Sequence, residues 1–230
     1  MKCLLVVDVQ NGFVSNKTEM VLPRIEQLMK VFQGSLIIAT QFINAESSGF
    51  RDIMHWGRLK ESPEIEVIPF VESLSSAVIR KTTYTACTEE VLSLLRENNI
   101  DEVYICGIDT DCCVLASAIG LFEQNIRPVV LEYYCASNGG KKSHEAALTV
   151  LERTIGFDQI YRGYFSSEKE LEQQAKENEE ARLKLQYAQA WVKRRMNLAR
   201  KARAEGKSKE EIKKLLAEEE LRFRSEYGFK

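Results

Sequence analysis

Short apolar runs alternate with segments of helical spacing from Cys3 to Ile160, and this alternation restricts the fold more than any other feature of the chain. Residues 3–9, 35–40, 77–80, 102–106 and 128–132 carry apolar side chains at consecutive rather than alternate positions, the pattern of strands buried on both faces. Residues 159–160 read as a short sixth strand. Residues 21–32, 88–97, 112–124 and 143–154 have helical spacing. Pro23 sits near the start of the first of these, and Thr88 is placed to cap the second ahead of Glu89 and Glu90. Strands that alternate with helices predict an α/β fold, a parallel sheet with helices on both faces. Ligands of such sheets collect beyond the carboxyl ends of the strands, where the strand order reverses.

Polar residues fall at those strand ends. Asp8 ends the first strand, Lys81 the third, and Cys113 follows the fourth. Residues 103–117, V-Y-I-C-G-I-D-T-D-C-C-V-L-A-S, read as a strand that breaks at Gly107 and resumes as a helix after Asp111. Thr110 and Asp111 are placed as N-cap residues, with Cys112 and Cys113 in the first turn. Free N–H groups and the helix dipole there favour a thiolate, the reactive form. The residues alone leave a second reading open, a buried and inert thiol, since free cysteine is among the most buried residue types. The stretch 41–69 is long and irregular, with Phe42, Phe50, His55 and Trp56 in it, and loops of this length are usually functional.

Composition narrows the class. A net charge of −2 argues against nucleic-acid binding, and no apolar stretch is long enough for a transmembrane helix. Six cysteines without a C-x-x-C pair read as reduced thiols, so a cytoplasmic protein is expected. Charge is uneven: residues 1–163 sum to −6 and residues 164–230 to +4. This shift, in a segment without proline, puts a domain boundary near Gly163.

Three motifs, Asp8-x-Gln10-Asn11-x-Phe13, Arg80-Lys81 with Tyr84-Thr85, and Gly107-x-x-Thr110-Asp111-x-Cys113-Val114, make residues 1–163 resemble the isochorismatase-like cysteine hydrolases. That superfamily includes nicotinamidases and carbamoylsarcosine amidases. The resemblance implies a six-stranded parallel sheet of Rossmann-like order. It also implies a catalytic triad of Asp8, Lys81 and Cys113, and a cis peptide at Ile108-Asp109. The backbone N–H groups of Asp109 and Cys113 would then form an oxyanion hole, and a small molecule would lose an amide-type C–N bond through a thioester. Gln10, Phe13, Phe42, Asn44, Arg51, Trp56 and Tyr84 are the candidate pocket residues. Cys112, one position away from the nucleophile on a helix, is expected to face the core.

Nicotinamidases hold a metal through histidines after the second strand. Here that region reads Gln41-Phe42-Ile43-Asn44-Ala45-Glu46, and the chain has only His55 and His144, so neither metal nor cofactor is expected. The alternative is a catalytically idle member that acts as an oligomeric scaffold through its tail. That tail reads as a helical hairpin, residues 166–204 and 208–226, with apolar stripes. Leu171, Ala175, Leu185, Val192, Met196 and Ala199 mark the first, and Ile212, Leu216, Phe223 and Tyr227 the second. A homo-oligomer is the simplest way to cover them, and a natural appendage or an engineered fusion both fit. Its basic cluster reads as a solvated helix face.

Overall fold

The computed structural model describes residues 2–227. Its strands are β1 Lys2–Val7, β2 Leu36–Phe42, β3 Ala77–Lys81, β4 Glu102–Ile108, β5 Arg127–Ala136 and β6 Ile160–Tyr161. They form one sheet in the order β3-β2-β1-β4-β5-β6, parallel at every pairing. The order reverses between β1 and β4. Residues 3–7 of β1 are all buried, so both faces of this central strand are covered. The helices are α1 Leu22–Val31, α2 Gly49–Asp52, α3 Pro69–Leu74, α4 Glu89–Glu97, α5 Leu115–Glu123, α6 Lys141–Thr154, α7 Glu168–Ala204 and α8 Lys209–Glu226. Thr88 caps α4, its hydroxyl accepting the Val91 N–H.

Two local expectations give way. The stretch 41–69 is not loop throughout: β2 runs on to Phe42, α2 lies within the stretch, and α3 opens at Pro69. A helix of four or six residues is too short for its apolar period to show in sequence. The strand β4 does not stop at Gly107 but continues to Ile108, because Gly107 pairs with Val7 at φ 128°. A Cβ on Gly107 would lie 2.1 Å from the Val7 carbonyl oxygen. The glycine therefore marks a close backbone approach rather than a chain break.

The first compact unit runs to Gln174 and the second begins at Ala175. The first thus reaches past the composition shift at Gly163. The Tyr134 hydroxyl accepts the Phe165 N–H at 2.8 Å and donates to the Phe165 carbonyl at 3.0 Å, and Leu171 is fully buried. In the second unit the Ser208–Glu211 capping box opens α8. The hairpin seam uses Phe223 and Tyr227 of the stripe expected on α8 but not the stripe expected on α7. Phe223 is buried against Tyr187 and Trp191, with ring centroids at 5.0 and 5.3 Å, and Arg194 pairs with Glu219 at 2.6 Å. Leu185, Val192 and Met196 stay exposed. Aromatic rings bury more area per residue than the aliphatic side chains and so take the contact face.

Gly107→Ala is expected to destabilise the first unit by about 3 kcal/mol or more, since the added methyl meets backbone at a positive φ. A urea midpoint measures it, and a loss under about 1 kcal/mol would mean that β1 and β4 part there without difficulty.

Candidate active site

Three strand ends bring Asp8, Lys81 and Cys113 to the carboxyl edge of the sheet, beside the switch in strand order. Asp8 leaves β1 at φ 50°, a left-handed conformation that aspartate tolerates better than most residues. Both side chains of the Asp8–Lys81 pair are fully buried, with Lys81 Nζ 2.7 Å from Asp8 Oδ2. Lys81 Nζ also donates to the carbonyls of Thr83 at 2.8 Å and Tyr84 at 3.1 Å. Two of its three protons are thereby committed to carbonyls. Thr40 holds the carboxylate from the other side. Its hydroxyl donates to Asp8 Oδ1 at 2.6 Å and accepts the Asp8 N–H at 3.1 Å. The Lys81 contact is not an aligned hydrogen bond, so Asp8 Oδ2 has a counter-ion but no hydrogen-bond donor directed at it.

Cys113 is buried in the turn after β4. Residues Thr110–Val114 form a π-helical turn that leads into α5, a local geometry frequent at functional sites. Thr110 and Asp111 do not cap it. The Thr110 hydroxyl lies 2.8 Å from His144 Nδ1, and Asp111 Oδ1 accepts from Ser137. The polar groups of both look outward to α6 and the end of β5. The Asp109 carbonyl accepts the N–H of Cys112 at 3.2 Å and of Val114 at 3.1 Å, passing over that of Cys113. The Asp109 N–H has no acceptor among the described residues, and the Ile108-Asp109 peptide is cis. The Ser117 hydroxyl donates to the Cys113 carbonyl at 2.6 Å and accepts the Ala86 N–H at 2.9 Å, which ties the turn to the segment after β3.

The electrostatics differ from the sequence expectation of a thiolate. Burial pushes the Cys113 thiol well above its ordinary value. The Asp8 carboxylate adds to this by charge and as a hydrogen-bond acceptor, and Lys81 opposes it. Any benefit from the start of a helix is outweighed, because a second buried anion beside Asp8 would exceed the one cation available. Cys112 is also raised, to about 11, by burial and by Asp111 and Asp109.

A cavity of about 220 Å³ opens over Cys113. Of the candidate pocket residues, Phe13, Phe42, Trp56 and Tyr84 line it. Gln10, Asn44 and Arg51 do not. Gln10 is buried and stitches the backbone: its Nε2 donates to the carbonyls of Phe42 and Ile65, and its Oε1 accepts the Phe42 N–H. Asn44 Nδ2 donates to the carbonyls of Trp56 and Arg58 and so fixes the loop that carries the aromatic wall. Arg51 sits in α2, and the arginine in the wall is Arg58. Cys112 lines the cavity as well, contrary to its expected place in the core. The wider π turn rotates successive residues by less than an α turn, so neighbours share a side. Sequence reasoning passed over Thr40, Arg58, Asp109's carboxylate and Asn138. Thr40 at a strand end was the one with a visible signal, a hydroxyl level with Asp8 on an adjacent strand.

The residues after β2 do not suit a metal. Asn44 is held by loop backbone, and Gln41 bonds the Ile65 carbonyl and Arg80. Among the described residues no three His, Cys, Asp or Glu side chains are grouped as ligands.

The domain that carries this site matches a known family. The Isochorismatase domain model fits residues 2–157, and the chain belongs to the isochorismatase family. It is 27% identical over 157 residues to isochorismatase family protein 1B of Dictyostelium discoideum, covering 65% of this chain and 68% of that one. The nicotinamidase PncA of Bacillus subtilis superimposes with a TM-score of 0.61 at 22% identity, over 67% of this chain and 96% of that one. N-carbamoylsarcosine amidase of Thermoplasma acidophilum gives 0.61 at 20% identity, over 71% and 95%. At these identities the solved structures share the fold. The family match ends before α7.

Because the Cys113 thiol is raised, its thiolate fraction keeps growing through the neutral and mildly alkaline range. Iodoacetamide labelling of Cys113 in the free protein, read by peptide mapping, is therefore expected to accelerate steadily from about pH 7 to 9. A rate already level below about pH 7 would reveal a pre-formed thiolate instead.

Proposed function

We propose that this chain is a cysteine hydrolase that cleaves the C–N bond of a small amide, with Cys113 as nucleophile, Asp8 as proton acceptor and donor, and Lys81 as the fixed counter-charge. One observation carries the reading. The buried Asp8 carboxylate acts on the Cys113 thiol and keeps one oxygen without an aligned donor, and Cys113 lines a cavity sized for a small molecule. The names of the solved neighbours, a nicotinamidase and an amidase, support the same reaction class.

The charge balance supplies the mechanism. With the thiol neutral, Asp8 and Lys81 sum to zero. Moving the thiol proton to Asp8 leaves a thiolate, a neutral acid and an ammonium, which again sum to zero. The transfer creates no net buried charge, and net charge is what burial penalises most. As Sγ bonds the amide carbon, Asp8 takes the thiol proton. The oxygen becomes an oxyanion that the Asp109 and Cys113 N–H groups stabilise. The C–N bond then breaks, Asp8 protonates the departing nitrogen, and a thioester remains. Water attacks the thioester as Asp8 accepts its proton. The carboxylic acid leaves, and the proton returns to Cys113.

The test is ammonia release from a panel of small primary amides. Cys113→Ala and Asp8→Asn are each expected to lower turnover by roughly 10³-fold or more. A Cys113→Ala protein that still turns over would end the proposal. Lys81→Met is less informative, since it strands the Asp8 charge in the interior at a cost of about 3–5 kcal/mol.

A second reading concerns assembly, and it is favoured by the exposed Leu183, Leu185, Val192 and Met196 of α7. These side chains fit a homo-oligomer contact. Truncation after Gln174 retains the packed Phe165 and Leu171, so it is expected to lower the subunit count by light scattering while turnover persists. An unchanged count would remove the assembly role.

A further inference from the structure

The cavity wall has a charge that the proposed reaction does not use. Asp109 supplies a backbone N–H to the chemistry, yet its carboxylate also lines the cavity. Asn138 holds that carboxylate in place: its backbone N–H and its Nδ2 both donate to Asp109 Oδ1, at 2.8 and 2.9 Å. The same Asn138 amide donates to the Phe13 carbonyl at 3.0 Å, and its oxygen accepts from Ser15 at 2.8 Å. The carboxylate is therefore built into the wall. Oδ2 is left without a partner among the described residues. That oxygen is not among the fully buried unpartnered atoms, so a ligand can reach it, and a bound cation would give it a charge-assisted contact.

The remaining wall selects the sign of that group. Trp56 stacks on Phe13 at 6.2 Å, and Phe50 meets Tyr84 edge to face at 4.8 Å. The cations near the cavity are already engaged. Arg58 Nε is held by Glu64 at 3.1 Å, and Lys81 is paired with Asp8 and sits 5.2 Å from the Phe42 ring. Asp111 lies behind Asp109 and adds negative potential. An anionic ligand would meet Asp109 and only an arginine already paired with Glu64, whereas aromatic faces and one carboxylate together favour a cation.

We propose that the cavity selects a small planar amide that carries a positive charge on its body, with Asp109 Oδ2 as counter-ion and the rings of Phe13, Phe50, Trp56 and Tyr84 as its cage. This substrate class rests on the hydrolase reading, with the reacting carbonyl over Cys113. A cation also explains how Asp109 stays ionised in the complex, since burial otherwise pushes its carboxyl up to about 6.

Calorimetry on the full-length Cys113→Ala protein separates the two ideas, because binding needs no turnover. The probes are benzamide, its cationic counterpart 1-methylpyridinium-3-carboxamide, and its anionic counterpart 3-carbamoylbenzoate. The pyridinium amide is expected to bind about tenfold tighter than benzamide, with the benzoate weakest. Adding Asp109→Asn, which keeps the Oδ1 acceptor for Asn138, should bring the pyridinium-to-benzamide ratio to about one. A pyridinium amide that binds no tighter than benzamide overturns the proposal, and so does a ratio that survives Asp109→Asn.

If that variant does not fold, a pH series on Cys113→Ala alone decides. Pyridinium affinity should fall from about pH 7.5 to 5 as Asp109 takes a proton, while benzamide affinity stays level. The other titratable groups around Asp109 are Asp8, Asp111 and Cys112, with Lys81 beyond Asp8, Arg58 elsewhere in the cavity wall and His144 beyond Thr110. Burial holds His144 below its ordinary value. A level pyridinium curve overturns the proposal. Ammonia release from the same amides by the wild type tests the hydrolase reading separately. Selective binding without ammonia would retain the cation site and reject the reaction.

Discussion

An ion pair sealed in the interior sets the terms for the rest of this structure. Asp8 and Lys81 are each fully buried at a sheet edge, and neither is tolerable there alone. The surrounding chain meets their demands point by point. Thr40 gives the carboxylate a hydroxyl, and the carbonyls of Thr83 and Tyr84 accept two of the ammonium's protons. The pair contributes little net stability of its own, because desolvation offsets attraction. Its consequence is electrostatic: a fixed dipole beside a buried thiol, in surroundings where a further charge is unwelcome.

Burial first, and then the charges of that pair, decide which state of Cys113 rests in the protein. The position after β4, at the start of a helical turn, favours a thiolate by local reasoning. Burial and the adjacent carboxylate reverse the preference. Ionisation to solvent and transfer to Asp8 are then different events. The first adds an uncompensated buried charge, and the second only moves a proton within a neutral set. In the proposed reaction the nucleophile is generated when it is needed and does not wait as an anion.

The backbone supports this at two places. Gly107 lets β4 come within reach of Val7, which brings the Cys113 turn beside Asp8. The π turn then exposes both Cys112 and Cys113 to the cavity, so the wall carries two thiols, and only Cys113 has Asp8 among the charges that set its state.

Much of this was legible in the chain itself. Consecutive apolar positions in the strands and period-matched helices fix an α/β sheet, because those patterns record burial on two faces or on one. The residues at strand ends, Asp8, Lys81 and Cys113, could be named in advance because a parallel sheet sends every strand's carboxyl end to one edge. Phe13, Phe42, Trp56 and Tyr84 were legible as a group of aromatics near that edge. What sequence could not decide depends on contacts between distant segments. Arg58 rather than Arg51 reaches the cavity because Asn44 pins the loop between them. On α7 the seam follows Tyr187 and Trp191, packed on the expected Phe223 of α8, because large rings outcompete an aliphatic stripe. Asp109 became a wall carboxylate only through Asn138, far along the chain. The state of Cys113 was likewise a tertiary matter: local sequence sets the helix start, but the proton's place depends on which charges the fold buries beside it.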